Sequence, residues 1–167
     1  MILVVNNLSG KINELKNMLK KLGADFEVRR YNTDIDPRRF AGIILTGRAT
    51  HISDTNRFNS RIIRKVEEVN IPLLGICYGG EIVATTFGGS LIRLDESVDG
   101  FLEIEIKKEN KLTQGRNSLE VYCRRRFQVS HLPDQLMSLS GSKKSSNEII
   151  NLAKNLSQLH KVLQKVP

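Results

Sequence analysis

A cysteine set among glycines is the feature of this sequence best suited to chemistry: Cys77 lies in Gly75-Ile-Cys-Tyr-Gly-Gly-Glu81. An apolar run at residues 73–76, typical of a strand covered on both faces, leads into it, and a helix-like segment at residues 82–87 follows. This order predicts a strand, a sharp turn and a helix, in which small neighbours let the backbone fold back and lift a nucleophile above the sheet edge. The positive end of the helix would favour the thiolate. We predict that Cys77 is a nucleophile; the alternative is an inert cysteine buried in a glycine-rich turn.

The cysteine turn resembles the nucleophile elbow of the class I glutamine amidotransferases, which typically reads Gly-Ile/Val-Cys-x-Gly-His/Gln-Gln. The resemblance covers residues 1 to about 136 and is nearest to the glutaminase branch that serves archaeal-type GMP synthetase. It implies a flavodoxin-like α/β fold and hydrolysis of glutamine through a glutamyl-thioester on Cys77. It further implies that ammonia passes to a synthetase on a separate chain, as part of a ligase of purine biosynthesis, with no cofactor.

An oxyanion site must accompany the cysteine, because amide hydrolysis develops negative charge on the substrate oxygen. The backbone N–H of Tyr78, which follows the nucleophile, is one expected donor. The loop Leu45-Thr-Gly-Arg-Ala49 stands where the family has Ser/Thr-Gly-Gly-Pro, so Gly47 matches the first glycine and Arg48 replaces the second. If that second position requires a positive φ, Arg48 is strained there and the donor is misaimed.

Three further residues match positions at which the family contacts glutamine. Ser130 and His131 match a Ser-His pair that helps to hold the α-amino and α-carboxylate groups of the substrate. Glu81 stands where the family usually has a Gln, so it keeps the size of that side chain but adds a charge that would repel the substrate carboxylate.

The catalytic base is the least complete part of the resemblance. The family takes a His and a Glu from a Gln-Phe-His-Pro-Glu segment, and here Ser157-Gln-Leu-His-Lys-Val162 matches only at Gln158 and His160. A Cys77–His160 dyad is therefore the most that the match allows. Periodicity predicts instead one amphipathic helix over residues 147–166, with His160 at its surface. We favour the helix, because six apolar residues follow a 3-4-3-4-3 spacing: Ile149, Leu152, Leu156, Leu159, Leu163 and Val166.

The elements that would position these residues follow a doubly wound α/β order with a mostly parallel sheet. The predicted strands are residues 2–5, 26–29, 42–45 and 73–76, and the predicted helices are residues 11–22, 58–69 and 82–87. Ligand sites gather at the carboxyl ends of such strands, so residues 6–10, residues 46–53 and Cys77 should lie together. A small β-rich excursion of four short strands is predicted at residues 90–94, 102–106, 118–122 and 127–130, and residues 138–146 are predicted as a serine-rich loop. We treat residues 1–167 as a single domain.

Composition limits the possible partners. The chain has 167 residues, 40% hydrophobic content and a net charge of +8, with no apolar run near the length of about 18 residues that a membrane span needs. The basic charge suits either a polyanionic partner or a plain solvated surface. Low aromatic content without Trp disfavours nucleic-acid binding. Two cysteines lack metal-ligand spacing, so no metal is expected. Because the N-terminus has no signal-peptide pattern, we expect a cytoplasmic protein without membrane contact.

Three hypotheses for function remain. The first is a glutaminase subunit that supplies ammonia to a separate synthetase. The second is a catalytically impaired amidotransferase-like protein that acts as a binding or regulatory partner, as Arg48, Glu81 and the incomplete C-terminal motif suggest. The third is a cysteine hydrolase of the intracellular-protease-like superfamily, which is disfavoured because no histidine closely follows Cys77. We expect little glutaminase activity from the chain alone, and the sequence leaves open which synthetase is served and the oligomeric state.

Overall fold

The computed structural model describes residues 1–49, 54–110 and 113–152. The described chain forms two compact units, one comprising Met1–Thr86 and the other running onward from Phe87. Of the helices in these ranges, none is long and apolar enough to cross a membrane.

The first unit is a four-stranded parallel sheet with helices between the strands. Its strands are β1 (Ile2–Asn6), β2 (Phe26–Arg30), β3 (Gly42–Leu45) and β4 (Leu73–Gly75), in the order β2-β1-β3-β4. Its helices are α1 (Ile12–Lys21), α2 (Thr55–Val69) and α3 (Tyr78–Thr86), and a short 3-10 turn spans Pro37–Arg39. All strand pairs are parallel, with Val4 of β1 opposite Val28 of β2 and Ile44 of β3. The predicted α/β fold with a parallel sheet is therefore confirmed.

The centre of the sheet consists of the most apolar strands. Leu3, Val4 and Val5 are fully buried, and β3 is buried along its whole length. Strands covered on both faces show such continuous apolar runs, which explains why β1 and β3 occupy the middle. As predicted, Gly23 follows the C-terminal end of α1; its φ is +65° and its N–H donates to the Lys20 carbonyl at 3.0 Å. Glycine adopts this left-handed conformation without the clash that a Cβ brings.

Strand β4 differs from the sequence prediction in length and in burial. It ends at Gly75, and Leu74 and Ile76 are 36% and 39% exposed, although we expected residues 73–76 to be covered on both faces. The reason is its position, because among the described strands β4 is the last in the sheet and pairs with β3. Helix α3 also begins earlier than predicted, at Tyr78, directly after the cysteine.

The second unit is a four-stranded antiparallel sheet. Its strands are β5 (Ser90–Ile106), β6 (Ser118–His131), β7 (Leu136–Gly141) and β8 (Ile149–Leu152), in the order β6-β5-β7-β8. The predicted β-rich segment is confirmed, but its four short strands are parts of two long ones, β5 and β6, whose pairing has a register irregularity between Arg93 and Val98. The serine-rich loop prediction is also wrong at residues 138–141, which lie in β7 with Ser140 fully buried.

The predicted C-terminal helix is wrong at its beginning. Residues Ile149–Leu152 form β8, in which Asn151 lies opposite Met137 of β7. The spacing of the apolar residues suits a helix, but over only four residues it suits a strand as well. Hydrogen-bond pairing with β7 makes these residues a strand. The rest of the predicted helix, including His160, lies outside the described residues.

Candidate active site

Cys77 stands at the junction of β4 and α3 in a strained backbone conformation. Its φ is 53°, in the left-handed region that residues with a Cβ rarely adopt, and its side chain is exposed. The Cys77 carbonyl accepts the N–H groups of Gly80 at 2.8 Å and Glu81 at 3.1 Å, so the helix starts immediately after the cysteine. Such strain persists only where surrounding structure fixes it, and it is concentrated at functional sites.

Two glycines allow the main chain to pack tightly around this turn. A Cβ on Gly75 would lie 2.6 Å from the Gly80 nitrogen, and a Cβ on Gly79 would lie 2.9 Å from the carbonyl carbon of Leu45. Both obstacles are main-chain atoms, which have little freedom to move. The turn around Cys77 therefore packs against its own main chain at Gly75 and against the end of β3 at Gly79.

The loop after β3 lies against the cysteine. A Cβ on Gly47 would be 3.5 Å from Cys77 Cβ and 4.0 Å from Cys77 Sγ. The backbone of this loop thus comes close to the sulfur, as a backbone oxyanion donor must. Glu81, half-buried in the first turn of α3, completes the set of predicted site residues that the first unit brings together.

Arg48 is not strained. Within the described chain, the non-glycine residues with positive φ are Leu8, Asn70, Cys77 and Gln114. The Arg48 backbone is therefore ordinary, and the expected penalty at this position does not arise. Its guanidinium carbon lies 3.9 Å from the centre of the Tyr78 ring, and its Nη1 donates to Asn56 Oδ1 at 3.3 Å.

Tyr78 is held on both its ring face and its hydroxyl. The side chain is buried, and the phenol donates to Asn56 Oδ1 at 2.9 Å. Burial raises the pKa of Tyr78 to about 12, against an opposing effect of the Arg48 charge. The phenol is consequently a neutral hydrogen-bond donor at physiological pH.

A buried polar network joins the ends of β1 and β3 to helix α2. The Asn7 backbone N–H donates to Thr46 Oγ1, and Asn7 Nδ2 donates to the Thr46 carbonyl, both at 2.9 Å. Asn59 Nδ2 in turn donates to Asn7 Oδ1 at 2.7 Å and to the Thr55 carbonyl at 2.8 Å. The expected meeting of the loops after β1 and β3 is therefore observed. Sequence reasoning missed Asn7 and Asn59, although Asn59 occupies a helix position in phase with the buried residues of α2.

The remaining predicted site residues belong to the second unit or lie outside the described residues. Ser130 and His131 are exposed at the end of β6 in the second unit, where Ser130 Oγ donates to the Ser90 carbonyl at 3.1 Å. His160 is outside the described residues. Cys123, the second cysteine, is half-buried in β6, and burial raises the pKa of its thiol. Within the three described ranges, no group of three or more His, Cys, Asp or Glu side chains is arranged to hold a metal ion.

Comparison with known proteins agrees with this geometry. Residues 3–160 match the sequence model of the family described as glutamine amidotransferase class-I. The chain is 27% identical over 147 residues to a subunit of the glutamine-hydrolyzing GMP synthase of Pyrococcus abyssi, covering 86% of this chain and 77% of that protein. The same GMP synthase subunit of Thermococcus kodakarensis is 29% identical over 147 residues, with the same coverage of 86% and 77%.

A solved structure shows the same fold. The crystal structure of a glutamine amidotransferase from Thermotoga maritima superimposes with a TM-score of 0.77 at 17% identity, over 92% of this chain and 71% of that one. The match to the family model extends over most of the sequence and includes the cysteine elbow. This chain belongs to the class I glutamine amidotransferases.

Proposed function

We propose that the chain is a glutaminase subunit that supplies ammonia to a separate synthetase of the GMP synthetase type. Cys77 Sγ attacks the side-chain amide carbon of glutamine, the carbon–nitrogen bond breaks, and the leaving nitrogen takes up a proton and departs as ammonia. Water then attacks the thioester, which releases glutamate and restores the thiol. Splitting amide hydrolysis in this way replaces one difficult step by two easier ones.

This proposal rests on the backbone strain and the exposure of Cys77, which lies between β4 and α3. It rests also on the loop at Gly47, whose backbone lies close to the cysteine sulfur. A substrate carbonyl attacked at this point would place its oxygen near the N–H of Tyr78 and the backbone at Gly47. Two aligned backbone donors are the usual means of stabilising a tetrahedral oxyanion. We assign Tyr78 and Gly47 to that role.

The other assignments follow the family resemblance. We propose that Glu81, Ser130 and His131 contact the glutamine head group and that His160 is the base that shuttles the proton. We also propose that the two compact units together form one cytoplasmic amidotransferase domain without a cofactor. The family match supports this proposal because it extends across the residues of both units.

A catalytically impaired binding or regulatory protein is the second candidate. The observation in its favour is Glu81, a charged side chain where the family usually has a neutral Gln, in the first turn of the helix that follows the nucleophile. Its negative charge would repel the carboxylate of glutamine, whereas it would not affect docking to a partner.

Alkylation by 6-diazo-5-oxo-norleucine, a glutamine analogue, tests the proposal. We expect a single adduct that peptide mass spectrometry locates on Cys77, with loss of labelling in Cys77→Ser and full labelling in the matched variant Cys123→Ser. Free glutamine should protect the site. A chain that iodoacetamide labels at Cys77 but the glutamine analogue does not would refute glutamine hydrolysis and favour the binding role.

A further inference from the structure

Arg48 makes contacts that the resemblance to its family does not anticipate. It stands where the family has a glycine, yet its side chain reaches the residue that follows the nucleophile. We propose that Arg48 is a positioning residue that fixes the oxyanion site by bracing Tyr78 against the loop after β3. The inference rests on the proposed function, since it concerns the same backbone donors.

Arg48, Tyr78 and Asn56 form a closed ring of contacts. The guanidinium carbon lies 3.9 Å from the centre of the Tyr78 ring, well within the distance of about 6 Å at which a cation is attracted to an aromatic face. Asn56 Oδ1 accepts both the Arg48 Nη1 at 3.3 Å and the Tyr78 hydroxyl at 2.9 Å. Each side chain therefore restrains the other two.

The ring ties together three segments that meet at Tyr78, the residue after the cysteine. Arg48 belongs to the loop after β3, Asn56 to the first turn of α2, and Tyr78 to the first turn of α3. The other arginines that lie over rings in the described chain do so at greater distance: Arg57 over Phe58 at 5.3 Å, and Arg29 over Phe40 and Arg30 over Tyr31 at 5.7 Å. The contact made by Arg48 is thus the tightest of those four.

The link to catalysis is the peptide plane between Cys77 and Tyr78. The N–H of this plane is the proposed oxyanion donor, and its orientation depends on the φ of 53° at Cys77 and on the position of the Tyr78 Cα. Because Tyr78 is buried, surrounding atoms fix the position of its ring, and Arg48 covers the ring face. Removing Arg48 would let the ring shift and the donor turn away from the oxyanion.

The test compares two thiol reagents on the full chain. The glutamine analogue 6-diazo-5-oxo-norleucine needs the oxyanion site, whereas iodoacetamide needs only the thiolate. Loss of an oxyanion donor typically lowers a rate about 100- to 1,000-fold, and misalignment should lower it less, so we expect Arg48→Ala to slow the maximal inactivation rate about 10-fold. The concentration for half-maximal inactivation should stay nearly constant. Arg48→Lys, which keeps the cation over the ring, should recover part of the rate.

Two further variants serve as comparisons. Arg30→Ala removes a matched arginine on β2 and should leave the rates of both reagents unchanged. Tyr78→Phe keeps the ring but loses the hydrogen bond to Asn56, so it should partly slow the reaction with the glutamine analogue.

Three outcomes would overturn the proposal. If Arg48→Ala slowed both reagents equally across a pH series, Arg48 would act on the thiolate by its charge. If the glutamine analogue labelled the wild type and Arg48→Ala at the same rate, Arg48 would have no positioning role. An unlabelled wild type would overturn the proposed function and this assignment with it.

Discussion

Substituting Gly79 by alanine tests the geometry that holds the cysteine. The added methyl group would lie 2.9 Å from the carbonyl carbon of Leu45 and 3.0 Å from its Cβ, with the carbonyl oxygen closer still. The neighbouring Gly80 is a matched control in the same helical turn, because a Cβ there would meet the Gly75 carbonyl oxygen at 3.4 Å, an ordinary contact. The two variants differ in sterics but share the same gain in helix propensity.

The expected magnitudes follow from these contacts. Overpacking typically costs about 1–3 kcal/mol, and we expect about 3 kcal/mol at Gly79 because the obstacle is main chain. Alanine is favoured over glycine in a helix by about 1 kcal/mol. Gly79→Ala should therefore destabilise the chain by about 2 kcal/mol, and Gly80→Ala should stabilise it by up to about 1 kcal/mol, a difference of about 3 kcal/mol.

Urea denaturation followed by far-UV circular dichroism measures this difference, with the midpoint and slope fitted for each variant. Gly79→Ala should also slow alkylation of Cys77, because the elbow must move away from β3 to make room. Equal stability of the two variants would refute the packing of α3 on the end of β3 and, with it, the explanation of the strained cysteine.

Three further predictions concern titratable groups. Iodoacetamide at neutral pH should label Cys77 before Cys123, because burial raises the pKa of Cys123 and its labelling should become appreciable only in alkaline solution. Because the pKa of Tyr78 is raised to about 12, its neutral form stabilises the fold fully below about pH 10, and this contribution should be lost as the pH rises towards about 12. Glu148→Gln should destabilise the second unit by about 3–5 kcal/mol, since it removes one charge of an ion pair whose side chains, Arg125 and Glu148, are only 12% and 7% exposed.

Each of these has a control. Preferential labelling of Cys123 at neutral pH would contradict the first. Tyr78→Phe should remove the alkaline loss when the free energy of unfolding is measured from pH 9 to 12, and an unchanged profile would contradict the second. Asp99→Asn removes the counter-charge of Arg124 from an exposed pair and should cost less than about 1 kcal/mol in urea denaturation. A loss for Glu148→Gln no greater than this would contradict the third.

The sequence predicts the first unit well because its signals are local. Residues 42–45 are predicted as a strand and form one with the same bounds, since a short apolar run between turn residues has few alternatives. Gly23 ends α1 because only glycine adopts its φ of +65° without strain. Glycines around Cys77 indicate the sharp turn for a different reason, because a Cβ on Gly75 or Gly79 would collide with neighbouring main-chain atoms.

The features that sequence analysis could not predict depend on contacts between residues far apart in the chain. The residues of β8 are spaced as in a helix, and only pairing with β7 makes them a strand. The side chain of Arg48 could not be placed from its neighbours, because its partners, Asn56 and Tyr78, lie in two different helices. Strain at Arg48 is expected only if the family's second glycine position requires a positive φ, and the Arg48 backbone does not have one.

The hairpin of β5 and β6 gives the second unit a folding route of its own. Its innermost pair, Glu105 and Ser118, lies near in sequence, and each further pair out to Ser90 and His131 adds to a ladder already begun. In the first unit, by contrast, at least one helix separates each pair of neighbouring strands along the chain, and β1 and β3 are separated by both α1 and β2. Because nearby contacts form faster than distant ones, the hairpin should form early and at a rate independent of the elbow. Slow refolding of this chain would then reflect closure of the parallel sheet around β1 and β3.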